Sequence, residues 1–134
     1  MSIYVLIIQV REDVNVQVGS IGKKMFIKGL YAYVGSAQTN MAQRIGRHLR
    51  SEKKKFWHID YLLDNSASKI VEVFFKKSDE AEECKTAKAL NERNKPIADF
   101  GCSDCNCKSH LFHIDDYKFI RESMQVFPSK LRMI

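Results

Sequence analysis

The chain has 134 residues, of which 45% are hydrophobic, which is enough apolar surface for one packed domain and excludes an intrinsically disordered chain. No apolar run approaches the roughly 18 residues of a membrane-spanning helix, and the apolar N-terminal stretch lacks a basic leader and a cleavage site, so we expect a cytoplasmic protein without a membrane partner. The net charge of +6 is compatible with a polyanionic partner but does not identify one.

The first part of the chain is predicted to be mainly β-structure. Residues 3–9 are short, apolar and rich in β-branched side chains, which indicates a buried strand. Residues 14–18 alternate apolar and polar side chains, and the glycines after them allow residues 23–28 to return as the second arm of a β-hairpin. Another strand is predicted over residues 29–34, directly after this hairpin.

The remainder of the chain is predicted to be mostly helical. The predicted elements are a helix from Thr39 or Asn40 to about Arg50, a short helix over 57–63, a strand over 69–75, a helix over 79–93 capped by Ser78, a strand over 111–114 and a short helix from about Asp115 or Asp116. This order predicts one α+β domain over residues 1–134, with a small, mainly antiparallel sheet flanked by helices. We expect its core over residues 2–94 and a cysteine-containing extension over 95–134.

The strand that ends near Gly35 and the helix after it carry candidate catalytic residues. Because strand side chains alternate, Tyr31 and Tyr33 share a face with Gly35, where the missing side chain lets a ligand approach the backbone. Arg44 and His48 lie four residues apart and therefore share a helix face. Tyrosines, an arginine and a histidine around one concavity can orient a scissile phosphate and activate water.

Positive charge is concentrated between residues 44 and 55. The basic residues there are Arg44, Arg47, His48, Arg50, Lys53, Lys54 and Lys55. One interpretation is a solvated helix face followed by a loop, and the other is contact with the phosphates of DNA or RNA. On the second interpretation, the predicted substrate-binding residues are Gly35, Ser36, Arg47, Lys53 and Lys54.

The pattern around these residues resembles that of a known superfamily. The sequence YVGSA at residues 33–37, followed by Arg-x-x-x-His, resembles the GIY-YIG nucleases. The run WHIDYLL and the later SDC-x-C-x-SHLF are similar to the Uri-type branch of that superfamily, and the resemblance extends from Ser2 to about Phe112. It implies a GIY-YIG-like fold with an inserted β-hairpin, and a metal-dependent endonuclease that acts on DNA or RNA. Our leading hypothesis is an enzyme selective for single-stranded or structured substrates.

The two halves of the superfamily motif lie on adjacent strands. Tyr33 belongs to the second half, and Gly29-Leu30-Tyr31 cannot be its partner because both stretches lie on one strand. Ser2-Ile3-Tyr4 fits the first half, although Ser2 stands where the family has glycine, and the predicted hairpin accounts for the long separation. Tyr31 shares a face with Tyr33 and either lines the site or packs in the core.

The resemblance assigns a role to each candidate catalytic residue. Tyr4, or a water that it orients, is the general base, and Tyr33 holds it through a hydrogen bond. Arg44 neutralises charge on the phosphate, a role that suits a planar guanidinium. His48 assists proton transfer or binds a phosphate.

The resemblance also implies one divalent metal ion, magnesium or manganese. Three glutamates stand near the start of the predicted third helix, namely Glu80, Glu82 and Glu83. Glu83 falls on the stripe of Ala87 and Leu90 that should face the core, where a carboxylate is costly unless it is paired or binds metal. Glu83 is therefore the predicted metal ligand and Glu80 the second choice. The alternative for all three is favourable charge at a helix N-terminus.

A compact cysteine cluster lies in the C-terminal extension. Cys102, Cys105 and Cys107, with His110 or His113, have the chemistry of a tetrahedral zinc site. Buried or free thiols and a disulfide are the alternatives. Cys102 departs from the Uri-type pattern, which weakens the case for a shared zinc site.

The stretch WHID admits a catalytic or a structural interpretation. In a helix, His58 and Asp60 lie about 200° apart and cannot meet, whereas in a strand they would share a face; since we predict a helix here, we favour the structural interpretation. Trp57 is interpreted as an anchor in the core or at its rim, with base stacking as the alternative. For the whole chain, the alternatives to an endonuclease are a non-catalytic nucleic-acid-binding module that retains the fold and a zinc-stabilised interaction domain.

Overall fold

The computed structural model describes residues 1–77, 81–100 and 109–127, and within them the chain forms eight strands and four α-helices. The strands are β1 (Ser2–Val10), β2 (Val14–Gln17), β3 (Lys23–Phe26), β4 (Gly29–Ala37), β5 (Ser68–Lys77), β6 (Lys95–Pro96), β7 (Leu111–Ile114) and β8 (Gln125–Val126). The helices are α1 (Met41–Leu49), α2 (His58–Leu63), α3 (Glu82–Arg93) and α4 (Lys118–Ser123). The predicted α+β fold is confirmed.

Strand β1 lies inside an antiparallel sheet whose order is β6-β7-β4-β1-β5-β8 in the described part of the chain. It pairs with β4 on one side and with β5 on the other. Strands β2 and β3 pair only with each other in these residues and form the predicted hairpin between β1 and β4. The hairpin allows two strands that are distant in sequence to lie side by side.

Both faces of the sheet are buried, which explains the nearly continuous apolar sequence of β1. One face packs with residues of α1 and α2, in a cluster that includes Tyr4, Leu6, Ile8, Tyr31, Tyr33, Ile45, Ile59 and Leu62. The other face packs with residues of α3 and α4, in a cluster that includes Ile3, Val5, Ile7, Ala32, Val34, Ala87, Leu90 and Ile120. The two motif tyrosines, Tyr4 and Tyr33, therefore face α1 and α2.

Several predicted element ends differ from the structure. Strand β4 continues to Ala37, because Ser2 to Tyr4 of β1 extend its pairing beyond the predicted end. Asn40 stands before α1 with a left-handed backbone (φ 52°), and its side chain makes no capping hydrogen bond, so a side-chain cap by Asn40 is wrong. Helix α4 begins at Lys118 and not near Asp115. The predicted Ser78 cap lies outside the described residues.

The segment after α3 contributes short strands to the same sheet. Strand β7 pairs with β4 from Leu30 to Tyr33, and the two-residue strands β6 and β8 pair with β7 and β5. Two residues are too few to show an alternating pattern, so β6 and β8 were not predicted.

In the described part of the chain, no helix combines the length and apolar character needed to cross a membrane.

Candidate active site

The first element of the site is a tyrosine ring that lies across a glycine on the neighbouring strand. Tyr4 of β1 is paired in register with Gly35 of β4. A Cβ atom at Gly35 would lie 2.8 Å from Cε1 of Tyr4 and closer still to Cζ. Only glycine leaves room for the ring there, which explains the residue type at this end of β4. The adjacent strands thus bring the two predicted motif halves together.

The Tyr4 hydroxyl is hydrogen-bonded to a buried histidine on α1. The distance between Tyr4 Oη and His48 Nε2 is 2.7 Å, and each residue is 2% exposed. The other ring nitrogen, Nδ1, has no hydrogen-bond partner among the described residues. Burial lowers the pKa of His48 to about 3, and the nearby positive charges of Lys53, Arg47 and Arg44 add to this effect. The imidazole is therefore neutral at physiological pH.

Ser36 connects the predicted arginine to the predicted metal ligand. Arg44 Nη1 donates a hydrogen bond to the Ser36 carbonyl oxygen at 2.5 Å. The Ser36 hydroxyl donates to Glu83 Oε1 at 2.7 Å, although 47 residues separate the two in sequence. Helix α3 therefore directs Glu83 towards the end of β4, which agrees with its predicted inward face.

Glu83 is held on both carboxylate oxygens. Its Oε2 lies 3.1 Å from His110 Nδ1, while its side chain remains 25% exposed. Burial opposes ionisation of Glu83, but the hydrogen bonds from His110 and Ser36 and the nearby positive charge lower its pKa below the ordinary value. The group is an ionised carboxylate that still reaches solvent.

Tyr33 packs beside the Tyr4–His48 pair. The centre of its ring lies 6.1 Å from the centre of the His48 ring and 6.3 Å from that of Phe100, both in edge-to-face orientation. No hydrogen bond of the Tyr33 hydroxyl is formed within the described residues, and burial raises its pKa. In this structure the predicted hydrogen bond from Tyr33 to Tyr4 is not formed.

Arg47 forms a bidentate ion pair with a fully buried carboxylate. Its two terminal nitrogens donate to the two oxygens of Asp60 at 3.0 and 2.9 Å. The same Asp60 accepts hydrogen bonds from the backbone nitrogens of Phe56 and Trp57. The charge of Arg47, which was predicted to bind substrate, is thus balanced inside the protein, and Asp60 joins α1 to α2.

Trp57 packs against both arginines of α1. The guanidinium carbons of Arg44 and Arg47 lie 5.0 and 4.4 Å from the centre of its ring, within cation–π range. The ring also lies 5.6 Å from His48. Trp57 is half-buried, so the predicted anchor at the rim of the core is confirmed.

The predicted basic residues of the following loop have different environments. Lys53 Nζ donates to the carbonyl oxygens of Arg47, His48 and Arg50. These hydrogen bonds cap the C-terminal end of α1. Burial lowers the pKa of Lys53. Lys54 is exposed, and its carbonyl oxygen accepts a hydrogen bond from Arg47. Lys54 is thus open to solvent, whereas the ammonium group of Lys53 is engaged at the end of α1.

A groove of about 810 Å³ runs along the outer face of α1. Its lining includes Asn40, Gln43, Arg44, Arg47, Arg50 and Trp57. The groove lies beside the Arg44 end of the site, and its lining combines apolar surface, including Trp57, with polar and positively charged groups. The arginines in the lining favour an anionic ligand.

Other candidates lie away from this group. Tyr31 packs against Phe26 and His113, and its hydroxyl donates to the Ile27 carbonyl oxygen at 2.7 Å, so it belongs to the core. His58 lies on α2 with its ring 5.6 Å from Phe100, and it does not meet Asp60.

The predicted zinc ligands are described only in part. Cys102, Cys105 and Cys107 lie outside the described residues, as does Glu80, and the ring of His110 contacts Glu83. The described residues contain no group of three or more His, Cys, Asp or Glu side chains placed to hold a metal ion.

Two features of the site were missed by sequence reasoning. The hydrogen bond from Ser36 to Glu83 could not be found from spacing, because the residues belong to elements that are joined only by the fold. The Arg47–Asp60 pair had a weak signal, since a helix over WHIDYLL places an acidic residue on its buried face beside a basic helix.

Comparisons with known proteins give a family but no described relative. No curated protein and no solved structure matches the chain. A family model described as "Domain of unknown function DUF123" matches residues 3–133. Because this match covers nearly the whole sequence, the chain belongs to the DUF123 family.

Proposed function

We propose that the chain is a metal-dependent endonuclease of the GIY-YIG type that hydrolyses phosphodiester bonds in DNA or RNA. The observation that carries this proposal is the convergence of groups at the end of β4. The Tyr4 hydroxyl is hydrogen-bonded to His48. Arg44 is hydrogen-bonded to the Ser36 carbonyl oxygen, and Glu83 accepts a hydrogen bond from the Ser36 hydroxyl. A proton-transfer pair, a guanidinium and an ionised carboxylate are the groups that this hydrolysis uses.

Tyr4 and His48 suit the removal of a proton from the attacking water. Burial raises the pKa of Tyr4, so the phenol is protonated and does not act as a preformed base. Neutral His48 can accept the phenol proton at Nε2, provided that its own hydrogen is on Nδ1. As water gives its proton to Tyr4 Oη, the Tyr4 proton passes to His48. A phosphate beside Arg44 favours the resulting imidazolium, because an opposite charge stabilises it.

Arg44 is the residue that would contact the scissile phosphate. Within the described residues, its only donated hydrogen bond is from Nη1 to the Ser36 carbonyl, which leaves other N–H groups for a ligand. The stack on Trp57 limits the side-chain conformations that must be lost on binding. The guanidinium would balance the negative charge that grows on the phosphate oxygens.

Glu83 fits the divalent metal that the proposal requires. Its carboxylate is ionised and partly exposed, and its two hydrogen bonds use only some of its acceptor positions. Magnesium is commonly held by one or two carboxylates, with water and substrate phosphates completing its coordination. When bound, the ion would stabilise negative charge on the leaving oxygen. Ser36 and His110 would keep the Glu83 carboxylate in place.

A cleavage assay with magnesium or manganese on single-stranded, duplex and branched substrates tests the proposal. Arg44→Ala and Glu83→Gln are each expected to lower the rate by at least about 100-fold, because each removes a charge used in the transition state. EDTA should abolish cleavage by the wild-type chain. Circular dichroism spectra of the variants should match the wild type.

Matched control variants separate these effects from a general loss of charge. Arg121→Ala removes an exposed arginine that pairs with Glu72, on the opposite side of the sheet from α1. Glu82→Gln changes the residue next to Glu83 in sequence. Glu82 pairs with Lys76 and not with Ser36 or His110. Both controls should cleave at the wild-type rate. Undiminished cleavage by Arg44→Ala would refute the assignment, and binding without cleavage by the wild-type chain would identify the non-catalytic module.

A further inference from the structure

Phe56 presents an aromatic ring to solvent on the loop between α1 and α2. It is 78% exposed, the highest value among the large hydrophobic residues that the structure describes. The adjacent Trp57 packs on the protein, whereas the Phe56 ring lies edge-to-face against Trp57, with the two ring centres 5.6 Å apart. Most of the apolar surface of this ring therefore remains in water, and a ligand that covered it would gain favourable free energy.

The backbone beneath this ring is firmly held. The Phe56 nitrogen donates to Asp60 Oδ2 at 2.8 Å, and the carbonyl oxygen of Lys54 accepts from Arg47 at 2.9 Å. Lys53 ties the start of the loop to the end of α1. Because this backbone is already held, ligand binding does not have to order the loop that carries the ring. The loop is therefore a preorganised support and not a chain that must first become ordered.

The surroundings of Phe56 are positively charged. A depression of about 400 Å³ beside the ring is lined by Arg47, Arg50, Glu52, Lys53, Lys54 and Phe56. Arg47 is neutralised by Asp60 and Lys53 is occupied at the helix end, but Arg50 and Lys54 are exposed. An exposed aromatic ring among exposed cations is the combination that binds single-stranded nucleic acid.

The ring is also connected to the candidate site. Phe56 contacts Trp57, and Trp57 lies 5.0 Å from the guanidinium of Arg44. A strand with its scissile phosphate at Arg44 could therefore place a neighbouring base near Phe56. In a duplex the base faces are covered by stacking on each other, so such a contact requires an unpaired base.

We propose that Phe56 stacks on an unpaired nucleobase of the substrate, while Arg50 and Lys54 contact the phosphates beside it. This inference rests on the proposed nuclease function and gives its substrate class: a nucleic acid with a single-stranded segment next to the cleavage site. Because every base has an aromatic face, the contact selects for strandedness and not for sequence.

Fluorescence anisotropy in EDTA, with no cleavage, tests the stacking contact. The probes are a labelled oligo(dT) of about 12 nucleotides, within the usual range of single-strand site sizes, and a strand of the same length made of abasic residues. Phe56→Ala should bind oligo(dT) about 5- to 100-fold more weakly than the wild type, and Phe56→Trp should retain the affinity. Met25→Ala, which alters another exposed side chain on the distant hairpin, is the control and should bind normally.

Two further measurements separate stacking from charge. On the abasic strand, the wild type and Phe56→Ala should bind equally, because there is no base to stack. A plot of the logarithm of the binding constant against the logarithm of the salt concentration should have the same slope for Phe56→Ala as for the wild type. For Lys54→Ala the slope should be smaller by about 1, the amount expected for the loss of one phosphate contact. Equal binding of oligo(dT) by the wild type and Phe56→Ala, or an equal loss on the abasic strand, would overturn the stacking role.

The outcome is distinguishable from the test of the nuclease activity. If the wild type cleaves and Arg44→Ala does not, but Phe56→Ala binds oligo(dT) normally, the stacking role fails alone. If Phe56→Ala shows the predicted loss of binding but the wild type cleaves no substrate, the nuclease proposal fails alone. A wild-type chain that binds neither probe overturns the stacking role.

Discussion

Replacement of Asp60 by asparagine tests the polar network that holds α1, α2 and the Phe56 loop together. The Asp60 side chain is fully buried, and it accepts two hydrogen bonds from Arg47 and two from backbone nitrogens. Asparagine has the same shape but replaces one oxygen by a donor. If its oxygen takes the position of Oδ2, both backbone bonds are kept, and the amide nitrogen then faces Nη1 of Arg47.

The cost of this change follows from the burial of the pair. Removing one partner of a buried ion pair costs about 3–5 kcal/mol. The Arg47 side chain is 20% exposed and keeps its stack on Trp57, so part of its charge remains solvated. We therefore expect Asp60→Asn to lower the free energy of unfolding by about 2–3 kcal/mol, which corresponds to roughly 6–15 °C in Tm for a domain of this size.

Urea denaturation at pH 7, followed by the fluorescence of Trp57, measures this loss at the site itself, because the chain has one tryptophan. Asp64→Asn is the matched control, since Asp64 pairs with Lys55 while their side chains are 54% and 41% exposed. It should cost less than about 1 kcal/mol. A loss for Asp60→Asn no larger than that of Asp64→Asn would refute the reasoning.

The wild type and Asp60→Asn should also differ in how their free energies of unfolding depend on pH. Burial opposes ionisation of Asp60, but the hydrogen bonds from Arg47, Phe56 and Trp57 lower its pKa. A carboxylate with a lowered pKa stabilises the fold above its unfolded pKa of about 4, and this stabilisation is lost as the pH falls through the folded value. The difference between the wild type and Asp60→Asn should therefore narrow below about pH 4, and a constant difference would contradict the ion pair as its source.

Three further predictions concern the tyrosines and their neighbours. Gly35→Ala should cost about 1–3 kcal/mol in a thermal melt and at least about ten-fold in cleavage, because its Cβ displaces Tyr4; normal cleavage would contradict it. Native His48 stays neutral down to about pH 3, whereas the imidazole of the unfolded chain binds a proton below about pH 6.5. The free energy of unfolding, measured with urea, should therefore fall more steeply between these pH values in the wild type than in His48→Gln. Tyr31→Phe should cost about 1 kcal/mol and leave cleavage unchanged, because its hydroxyl bonds only the Ile27 carbonyl in the described structure.

The parts of the fold that were predicted correctly have strong local patterns. The β1 sequence is apolar over nearly its whole length because helices cover both faces of the sheet, and the hairpin has an alternating arm and a glycine turn. The face shared by Tyr31 and Tyr33 follows from strand alternation alone. The prediction failed where the structure depends on pairing between distant segments, as in the end of β4 at Ala37.

The candidate site was predicted in its residue types better than in its contacts. Spacing on α1 places Arg44 and His48 on one face, but it does not show that His48 is buried against Tyr4. Nor does it show that Glu83 is held by Ser36, because that contact depends on how α3 packs on the sheet. Such contacts join elements whose relative positions are set by the whole core.

The two arginines of α1 show why a basic cluster cannot be interpreted residue by residue from sequence. Arg44 and Arg47 are three positions apart, and both contact the Trp57 ring. Only Arg47 meets Asp60, because α2 turns that carboxylate inward and leaves His58 on another side of the helix. Arg47 therefore stabilises the packing of α1 against α2, whereas Arg44 forms no ion pair among the described residues and is the one proposed to contact a phosphate. The acidic partner on the next helix, and not the density of positive charge, therefore decides which arginine is assigned the phosphate in the proposed mechanism.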